Sequence, residues 1–215
     1  MLADSRSKTA PLVQSKGVRT RERILDLAFD SIVAKGFAAT SIEELIEGAK
    51  LSKSGFFYHF KDKSDLAHGL LERYVRESEA LLDELEARAR ALHDDPLHAM
   101  LIFLRLYAES LSELVSNAPG CLVATITYQE NMFDPIVRQK NRAVILSWRA
   151  RFLGWLEEIE RRHPLKANLA LVALADHVEA AAMGGIVLAK SLRDPQALAR
   201  QVLVTRETIR MAFGA

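Results

Sequence analysis

Cysteine, proline and glycine are scarce in this chain, and the low number of each excludes some classes of fold. The 215 residues include 1 Cys, 6 Pro and 10 Gly. The single Cys121 excludes an internal disulfide and fits a reducing compartment, so we expect a cytoplasmic location. With few helix breakers, no alternating strand pattern and no internal repeat, the sequence predicts an all-α fold of about nine helices.

Long apolar runs are also missing. No run reaches the roughly 18–20 residues that a membrane span needs, so we expect no membrane partner. Residues 1–18 lack the apolar segment of a signal peptide. A hydrophobic content of 49% with 27% charged residues is an ordinary globular balance, and it allows a sizeable core.

Enzyme signatures are absent as well. The sequence has no Gly-rich phosphate loop, no nucleophile elbow and no pair of histidines one helical turn apart with a third ligand, so we expect no catalytic residue and no cofactor. His93, Asp94, Asp95 and His98 cluster at a predicted helix junction. They could bind a metal, but we interpret them as helix caps and surface groups because nothing supplies a fixed outer shell.

Charge is balanced overall but unevenly placed. The formal net charge is only +1, so the chain is no polycation. Positive residues concentrate within 1–23 and within 50–63, which suits phosphate contact at the two ends of one unit, although an ordinary solvated surface would look similar. Residues 1–17 are polar and without periodicity, and we expect a disordered basic arm there.

The stretch Thr40–Lys63 organises the rest of the chain. Its capping-box spacing, from Thr40 to Glu43 or from Ser41 to Glu44, predicts a helix start. One apolar face then follows at helical spacing, through Ile42, Leu45, Ile46 and Ala49.

A second short helix follows a tight turn. Ser52 can cap it, and Phe56 and Phe60 lie four residues apart on its inner face. Its outer face carries small polar residues, then aromatics and lysines: Lys53, Ser54, Gly55, Phe57, Tyr58, His59 and Lys61. This pattern suits a helix whose first turn enters a DNA major groove while its flank touches phosphates.

The run LSKSGFFYHFKDKSDL, from Leu51 to Leu66, resembles the signature of the TetR family of bacterial transcriptional repressors. The resemblance extends from about Arg19 to Leu71. Three positions depart from the family pattern: Lys50 replaces a common turn glycine, Ile46 replaces a common alanine, and Phe57 replaces a common phosphate-binding tyrosine.

The resemblance implies a homodimer that binds a double-stranded DNA operator and is released by a small-molecule effector. It implies a DNA-binding domain over 18–63 and a larger ligand-binding and dimerisation domain over 64–215. The DNA-binding residues that we expect are Ser41, Ser52, Lys53, Ser54, Gly55, Phe57, Tyr58, His59, Lys61 and Lys63. Of these, we expect Lys53 and Gly55 closest to base edges.

Apolar periodicity and breakers predict the remaining helices. The first helix should run over 18–35, and a fourth over 64–92 should join both domains without a linker. The others are expected at 96–116, 121–131, 135–162, 166–192 and from 195 onward. The centre of the DNA-binding domain should contain Phe29, Phe37, Leu45, Leu51, Phe56 and Phe60.

Two further surfaces follow from the large domain. Helices 8 and 9 should dimerise as a four-helix bundle, because helix 8 is apolar around much of its circumference and Ala181, Gly184 and Gly185 allow close approach. Candidate ligand-binding residues mix aromatic and polar groups, although each could equally be ordinary core: Phe103, Tyr107, Thr125, Tyr128, Gln129, Trp148 and Met183.

Two individual residues, Cys121 and His177, are candidates for a sensing role. Cys121 lies at a predicted helix start, where the helix dipole would lower its pKa and favour a redox switch, but we interpret it as a small buried hydrophobe. His177 lies on apolar helix 8 beside Asp176 and Glu179, and we interpret it as a buried or interface histidine.

Three functions therefore compete. The leading one is a ligand-responsive DNA-binding repressor, with a mainly apolar effector because no buried cation set is evident. The others are an α-helical enzyme or carrier with a degenerate DNA-binding unit, and a protein-interaction module with an aromatic docking patch. Aromatics and lysines exposed together around Ser52–Lys63 favour DNA binding, since such a surface otherwise reduces solubility.

Overall fold

The computed structural model describes residues 15–117 and 120–214, without the side chains of 113–117. Within these residues the protein is all-α, as predicted, with nine α-helices and one short 3-10 helix over Glu130–Met132. The α-helices are α1 Lys16–Lys35, α2 Ile42–Gly48, α3 Lys53–Phe57, α4 Lys63–Leu92, α5 Pro96–Asn117, α6 Leu122–Tyr128, α7 Pro135–Glu160, α8 Leu171–Leu192 and α9 Gln196–Phe213.

Local hydrogen bonds explain where the helix ends differ from the prediction. Helix α1 begins before residue 18 because the Ser15 side chain accepts a bond from the Val18 backbone N–H at 3.3 Å. Most of the expected N-terminal arm, residues 1–14, lies outside the described residues. Helix α8 begins later than predicted because the backbone N–H groups of Lys166 and Ala167 bond to the Ala212 carbonyl instead.

Helix α4 joins the N-terminal unit to the rest of the molecule without a break. Its 30 residues start beside the α1–α2 loop and end against α5 and α7. Helices α7, α8 and α9 follow one another in space, and α9 closes the bundle against α5. A displacement at the far end of α4 would therefore be carried to its first turn.

The centre of the large bundle is aromatic. The Phe103 ring lies 5.4 Å from the Trp155 ring and 5.8 Å from the Phe152 ring, measured between centroids. The Trp155 indole N–H donates to the Pro96 carbonyl at 3.1 Å, which satisfies a buried donor. The predicted seam of α7 is confirmed, since Val144, Trp148, Phe152, Trp155 and Ile159 are all buried.

Helix α8 is apolar on faces that residues 15–117 and 120–214 do not cover. By length and composition it could cross a membrane, which the sequence analysis did not expect, and 33% of its most apolar window is buried. It packs on α7 and α9. The remaining exposed side is a row of mostly small or apolar residues that also includes one histidine and one serine: Ala173, His177, Ala180, Gly184, Val187, Leu188 and Ser191.

Candidate DNA interface and effector cavity

Serine caps set the geometry of the helix-turn-helix. The Ser41 side chain accepts from the Glu44 backbone N–H at 3.1 Å, and Ser52 accepts from the Gly55 N–H at 3.1 Å. Ser41 is thus the cap of α2. The buried Thr40 side chain instead bonds to the Gly36 carbonyl at 3.0 Å and to Ser31 at 2.9 Å.

The turn between α2 and α3 uses a strained residue. Lys50 has a φ of 51°, in the left-handed region, where the sequence analysis noted the absence of the usual glycine. The Leu51 N–H reaches back to the Ile46 carbonyl at 3.0 Å and closes the helix end. The chain therefore accepts roughly 1 kcal/mol of backbone strain to keep the two helices in place.

The inner face of the unit is well packed. Phe56 and Phe60 are fully buried, as predicted, with ring centroids 6.0 Å apart, and the Arg21 guanidinium lies over the Phe60 ring at 4.9 Å. Phe29 was expected at this centre, but it stacks on Tyr74 of α4 at 6.2 Å instead. Phe29 thereby links α1 to the large domain.

The outer face exposes the residues predicted to meet DNA. Tyr58 is 83% exposed and Phe57 39% exposed, although both are aromatic. The other members of this face are exposed polar residues, namely Ser41, Ser52, Lys53, Ser54 and Lys61. Gly55 lies beneath them in the first turn of α3, where an added Cβ would come within 3.2 Å of the Ser52 hydroxyl.

Lys63 and His59, two predicted phosphate contacts, are both partly buried, and Lys63 has other partners in this conformation. The Lys63 ammonium donates to the Phe37 carbonyl at 2.5 Å and lies 4.4 Å from the centre of the Phe37 ring. Burial lowers the pKa of Lys63. His59 is half-buried, and burial followed by the nearby Arg21 charge lowers its pKa, so a neutral imidazole faces this edge at neutral pH.

A second set of contacts ties the DNA-binding unit to the segment between α6 and α7 and to α8. The Gln129 side chain accepts from the Phe37 N–H at 2.9 Å, and the Phe37 and Phe133 rings lie 4.2 Å apart. The Lys190 ammonium donates to the Val33 carbonyl at 3.4 Å. The α1–α2 loop is thus held by the large domain at points other than α4.

Asp134 links the starts of α4 and α7. Its carboxylate accepts from the N–H groups of Ile136 at 2.8 Å and Val137 at 2.9 Å, and it lies 3.2 Å from His68. The Ser64 hydroxyl also donates to it. These bonds, Ser64 first, lower the pKa of Asp134 to about 2.

A cavity of about 650 Å³ lies in the large domain. Its wall includes Phe29 of α1, Tyr74, Ser78 and Leu81 of α4, and Cys121, and it is mostly apolar. Three of the predicted ligand-binding residues lie on this wall: Tyr107, Trp148 and Met183. A cavity of this size and character suits a small organic molecule.

The other four ligand candidates do not line the cavity. Phe103 is packed within the aromatic core, and the Thr125 hydroxyl is used by the Cys121 carbonyl at 3.0 Å. Tyr128 is 82% exposed, and Gln129 contacts the α1–α2 loop. Thr125 and Tyr128 lie on α6 and Gln129 caps its end, but the rotation of α6 turns these three residues away from the cavity.

The cavity wall also contains charged groups that were not among the predicted ligand-binding residues. Arg73 is buried and pairs with Asp26 at 2.6 Å, Glu22 at 3.4 Å and Glu77 at 3.7 Å. Glu179 lies opposite on α8, and burial raises its pKa from 4.5 to about 7. The only sequence signal for such a group is a charged residue within an apolar stretch, as Glu179 is within α8.

Cys121 and Asp95 have structural partners. Cys121 is buried, its sulfur accepts from the Ala124 N–H at 3.5 Å, and burial raises its pKa, so the expected dipole-lowered pKa is wrong. Asp95 caps α5 through the N–H groups of Leu97 and His98 and binds the His163 ring at 2.6 Å. Among the described residues no group of three or more ligands could hold a metal.

Comparisons with known proteins agree with this geometry. Residues 24–70 match the family described as bacterial regulatory proteins, tetR family. The transcriptional regulator AcuR of Cereibacter sphaeroides is 23% identical over 193 residues, covering 85% of this chain and 86% of that protein. The regulator TcmR of Streptomyces glaucescens is 33% identical over 143 residues, covering 59% and 61%.

A solved structure shows the same fold over most of the chain. A TetR-family regulator from Agrobacterium tumefaciens superposes with a TM-score of 0.77 at 22% identity, covering 92% of this chain and 99% of that one. At this identity the likeness concerns the fold. It extends well beyond the helix-turn-helix, so the large helical domain also has the architecture found in such regulators.

Proposed function

The chain belongs to the TetR family of ligand-responsive, DNA-binding transcriptional regulators, and we propose that it is a repressor released from its operator by an effector in the α4–α8 cavity. Such regulators are not enzymes, and they act on DNA as dimers. The observation that carries the proposal is the outer face of α3, where Tyr58 is 83% exposed above a fully buried Phe56 and Phe60. We also propose a cytoplasmic location.

We assign operator contacts to the two capped helices. The first turn of α3 enters the major groove, with Lys53, Ser54 and Gly55 nearest to base edges. The phosphate contacts come from residues around that turn: Ser41, Ser52, Tyr58, His59, Lys61 and Lys63. Phe57 adds an apolar ring where a tyrosine hydroxyl is common.

Lys63 can reach phosphate only after leaving Phe37. Its present bond to the Phe37 carbonyl, at 2.5 Å, holds the α1–α2 loop. We therefore expect Lys63 to contribute less to DNA affinity than Lys53 or Lys61, whose side chains are exposed.

We propose the domain division 18–63 for DNA binding and 64–215 for effector binding and dimerisation. The boundary coincides with the start of α4, where Asp62 caps the helix through the Asp65 N–H at 2.8 Å. No linker separates the two parts, which suits a regulator that must transmit strain between them.

We propose that α8 and α9 form the dimer interface. Exposed apolar residues concentrate there, including Val187 in the C-terminal part of α8 and Val204 and Met211 on α9. No side-chain atom of the described residues lies within 4 Å of the Cβ position of Gly184, which can therefore admit a partner helix. Gly185 was expected beside it, but an added Cβ there would lie 2.9 Å from the Leu198 Cα of the same chain.

The cavity gives a physical route for release. An effector between α4, α5 and α8 would press on Tyr74 of α4 and on Phe29 of α1, both in the wall. The two DNA-binding units of the dimer would then change their spacing, and DNA affinity would fall. By linkage, operator DNA must lower effector affinity by the same factor, roughly 5–150-fold for a coupling of 1–3 kcal/mol.

DNA binding is tested by fluorescence anisotropy with a duplex from the region upstream of the gene and with a random duplex. Tyr58→Phe should weaken both by roughly 3–10-fold, because it removes one phosphate hydrogen bond. Tyr128→Phe is the matched control, since Tyr128 is equally exposed but lies on α6. A change in base preference without loss of general affinity would contradict the assignment of Tyr58 to a phosphate.

A further inference from the structure

Glu179 is a buried carboxylate without a partner in the cavity wall. Its Oε1 is out of reach of solvent, although part of the residue's surface remains accessible, and it has no hydrogen-bond partner within 15–117 and 120–214. No ion pair to Glu179 occurs in the same part of the chain. A buried polar atom of this kind normally has a partner, and its absence costs stability.

The other charges around the cavity are already matched. The Arg73 guanidinium is used by Asp26, Glu22 and Glu77. Glu79, whose negative charge acts on Glu179, is held by Arg151 at 2.8 Å and by the Ser147 hydroxyl at 3.0 Å. Glu179 is therefore the acidic group left over, and no cation of the described wall is free to neutralise it.

A second atom of the wall is also unsatisfied. The Trp148 indole nitrogen is buried, and no acceptor lies within hydrogen-bonding distance among the described residues. Trp148 and Glu179 project from neighbouring helices α7 and α8 into the same cavity. An N–H donor and a carboxylate acceptor, set in an apolar wall, define the complementary groups of a ligand.

We propose that the effector is an apolar molecule bearing a protonated amine, which binds Glu179, and a hydrogen-bond acceptor, which binds the Trp148 indole N–H. This inference rests on the proposed effector role of the cavity and specifies the chemistry of its ligand. A cation suits the site better than a neutral donor because it replaces the lost hydration of the carboxylate. An anionic ligand would face Glu179 and Glu77 with Arg73 already occupied.

The burial of Glu179 also favours a cationic ligand. Burial, and then the nearby charge of Glu79, raises the pKa of Glu179 to about 7, so the side chains around Glu179 do not compensate its ionised form. The nearby titratable groups offer none: Tyr74, Tyr107 and Cys121 are themselves buried with raised pKa values. An ammonium group on the ligand would supply the missing charge.

The test uses three dansyl probes with one apolar body and different heads. Dansylcadaverine carries an ammonium head, and its analogues carry a hydroxyl or a carboxylate. Binding to the full-length protein without DNA is followed by dansyl fluorescence at about pH 7.5. We expect dansylcadaverine to bind about tenfold more tightly than the alcohol analogue, and the carboxylate analogue to bind most weakly.

Glu179→Gln keeps the side-chain shape and removes the charge. It should weaken dansylcadaverine by about tenfold, leave the alcohol analogue within about twofold, and improve binding of the carboxylate analogue. Glu77→Gln is the control, because Glu77 lies on the same wall but is exposed and paired with Arg73. It should leave the order of the three probes unchanged. Thermal melting and circular dichroism check that each variant is folded.

Several results would overturn the inference. They are failure of dansylcadaverine to bind the wild-type protein, equal affinity for all three heads, or the same preference in Glu179→Gln. Operator binding and its release are measured separately by anisotropy. Release by the alcohol analogue without any preference for the amine would leave the proposed function intact and remove the inference. Absence of operator binding would remove the proposed function whatever the probes do.

Discussion

The pH dependence of stability provides a ligand-free test of the environment of Glu179. Its pKa is raised from 4.5 to about 7 because burial disfavours the ionised carboxylate, with repulsion from Glu79 as a smaller cause. A pKa that is higher in the folded state stabilises the fold fully below the unfolded value. That stabilisation is lost as the pH rises through the folded value. Glu179 therefore weakens the protein progressively between about pH 4.5 and about pH 7.

The magnitude follows from the size of the shift. One pKa unit corresponds to about 1.4 kcal/mol, so ionising Glu179 costs about 3 kcal/mol in total. Between about pH 5 and about pH 8 we expect the wild type to lose about 2–3 kcal/mol relative to Glu179→Gln. For a chain of this size that is roughly 5–10 °C in the difference between the two melting temperatures.

The assay is thermal or urea unfolding of both proteins across that pH range at one fixed protein concentration, since a dimer's stability depends on concentration. Taking the difference between wild type and variant cancels every other titrating group. Glu77→Gln is the control for loss of one negative charge, because Glu77 lies on the same wall but its side chain is exposed. Parallel curves for Glu179→Gln would refute the reasoning, since Glu179 would then titrate as it does in the unfolded chain.

Three further predictions concern the dimer and the helix ends. Gly184→Arg should give monomers in analytical ultracentrifugation and abolish operator binding. Gly154→Arg is the control, because Gly154 is equally uncrowded but lies on α7, and this variant should stay dimeric. A dimeric Gly184→Arg protein would place the interface elsewhere. Asp134→Ala should cost about 1–2 kcal/mol near neutral pH in urea unfolding, through the lost cap of α7. Because the pKa of Asp134 is lowered to about 2, this difference should shrink as the pH falls toward 2, and a constant difference would contradict it. Lys50→Gly should raise stability by up to about 1 kcal/mol through relief of its left-handed φ, and destabilisation would show that the Lys50 side chain has a compensating contact.

The contacts around Phe37 suggest how the cavity and the DNA-binding unit communicate. Lys63 and Gln129 bind the Phe37 backbone from two different helices, at 2.5 and 2.9 Å. The α1–α2 loop therefore moves with both the start of α4 and the end of α6. An effector that shifted α4 relative to α6 would strain at least one of these two bonds.

The local elements could be predicted because short-range signals specify them. Ser41 and Ser52 are N-cap residues, and they predicted the starts of α2 and α3. The four-residue spacing of Phe56 and Phe60 predicted that both lie on the inner face. The length of α4 followed from an unbroken helical pattern. The outer face of α3 could be predicted from the same periodicity, because the residues between the inward-facing phenylalanines must face solvent. These features depend on residues a few positions apart, so the sequence by itself determined them.

Tertiary packing decided the rest. The rotation of α6 turned Tyr128 outward and Gln129 toward Phe37, and only the packing of α1 against α4 placed Phe29 in the cavity wall. Likewise, Gly184 and Gly185 are identical residues one position apart, but a step of 100° around α8 sends one to the surface and the other against Leu198. Glu179 has a buried carboxyl oxygen with no hydrogen-bond partner among the described residues because of the side chains that surround it. Such properties arise between residues distant in the chain, and spacing along one helix cannot report them.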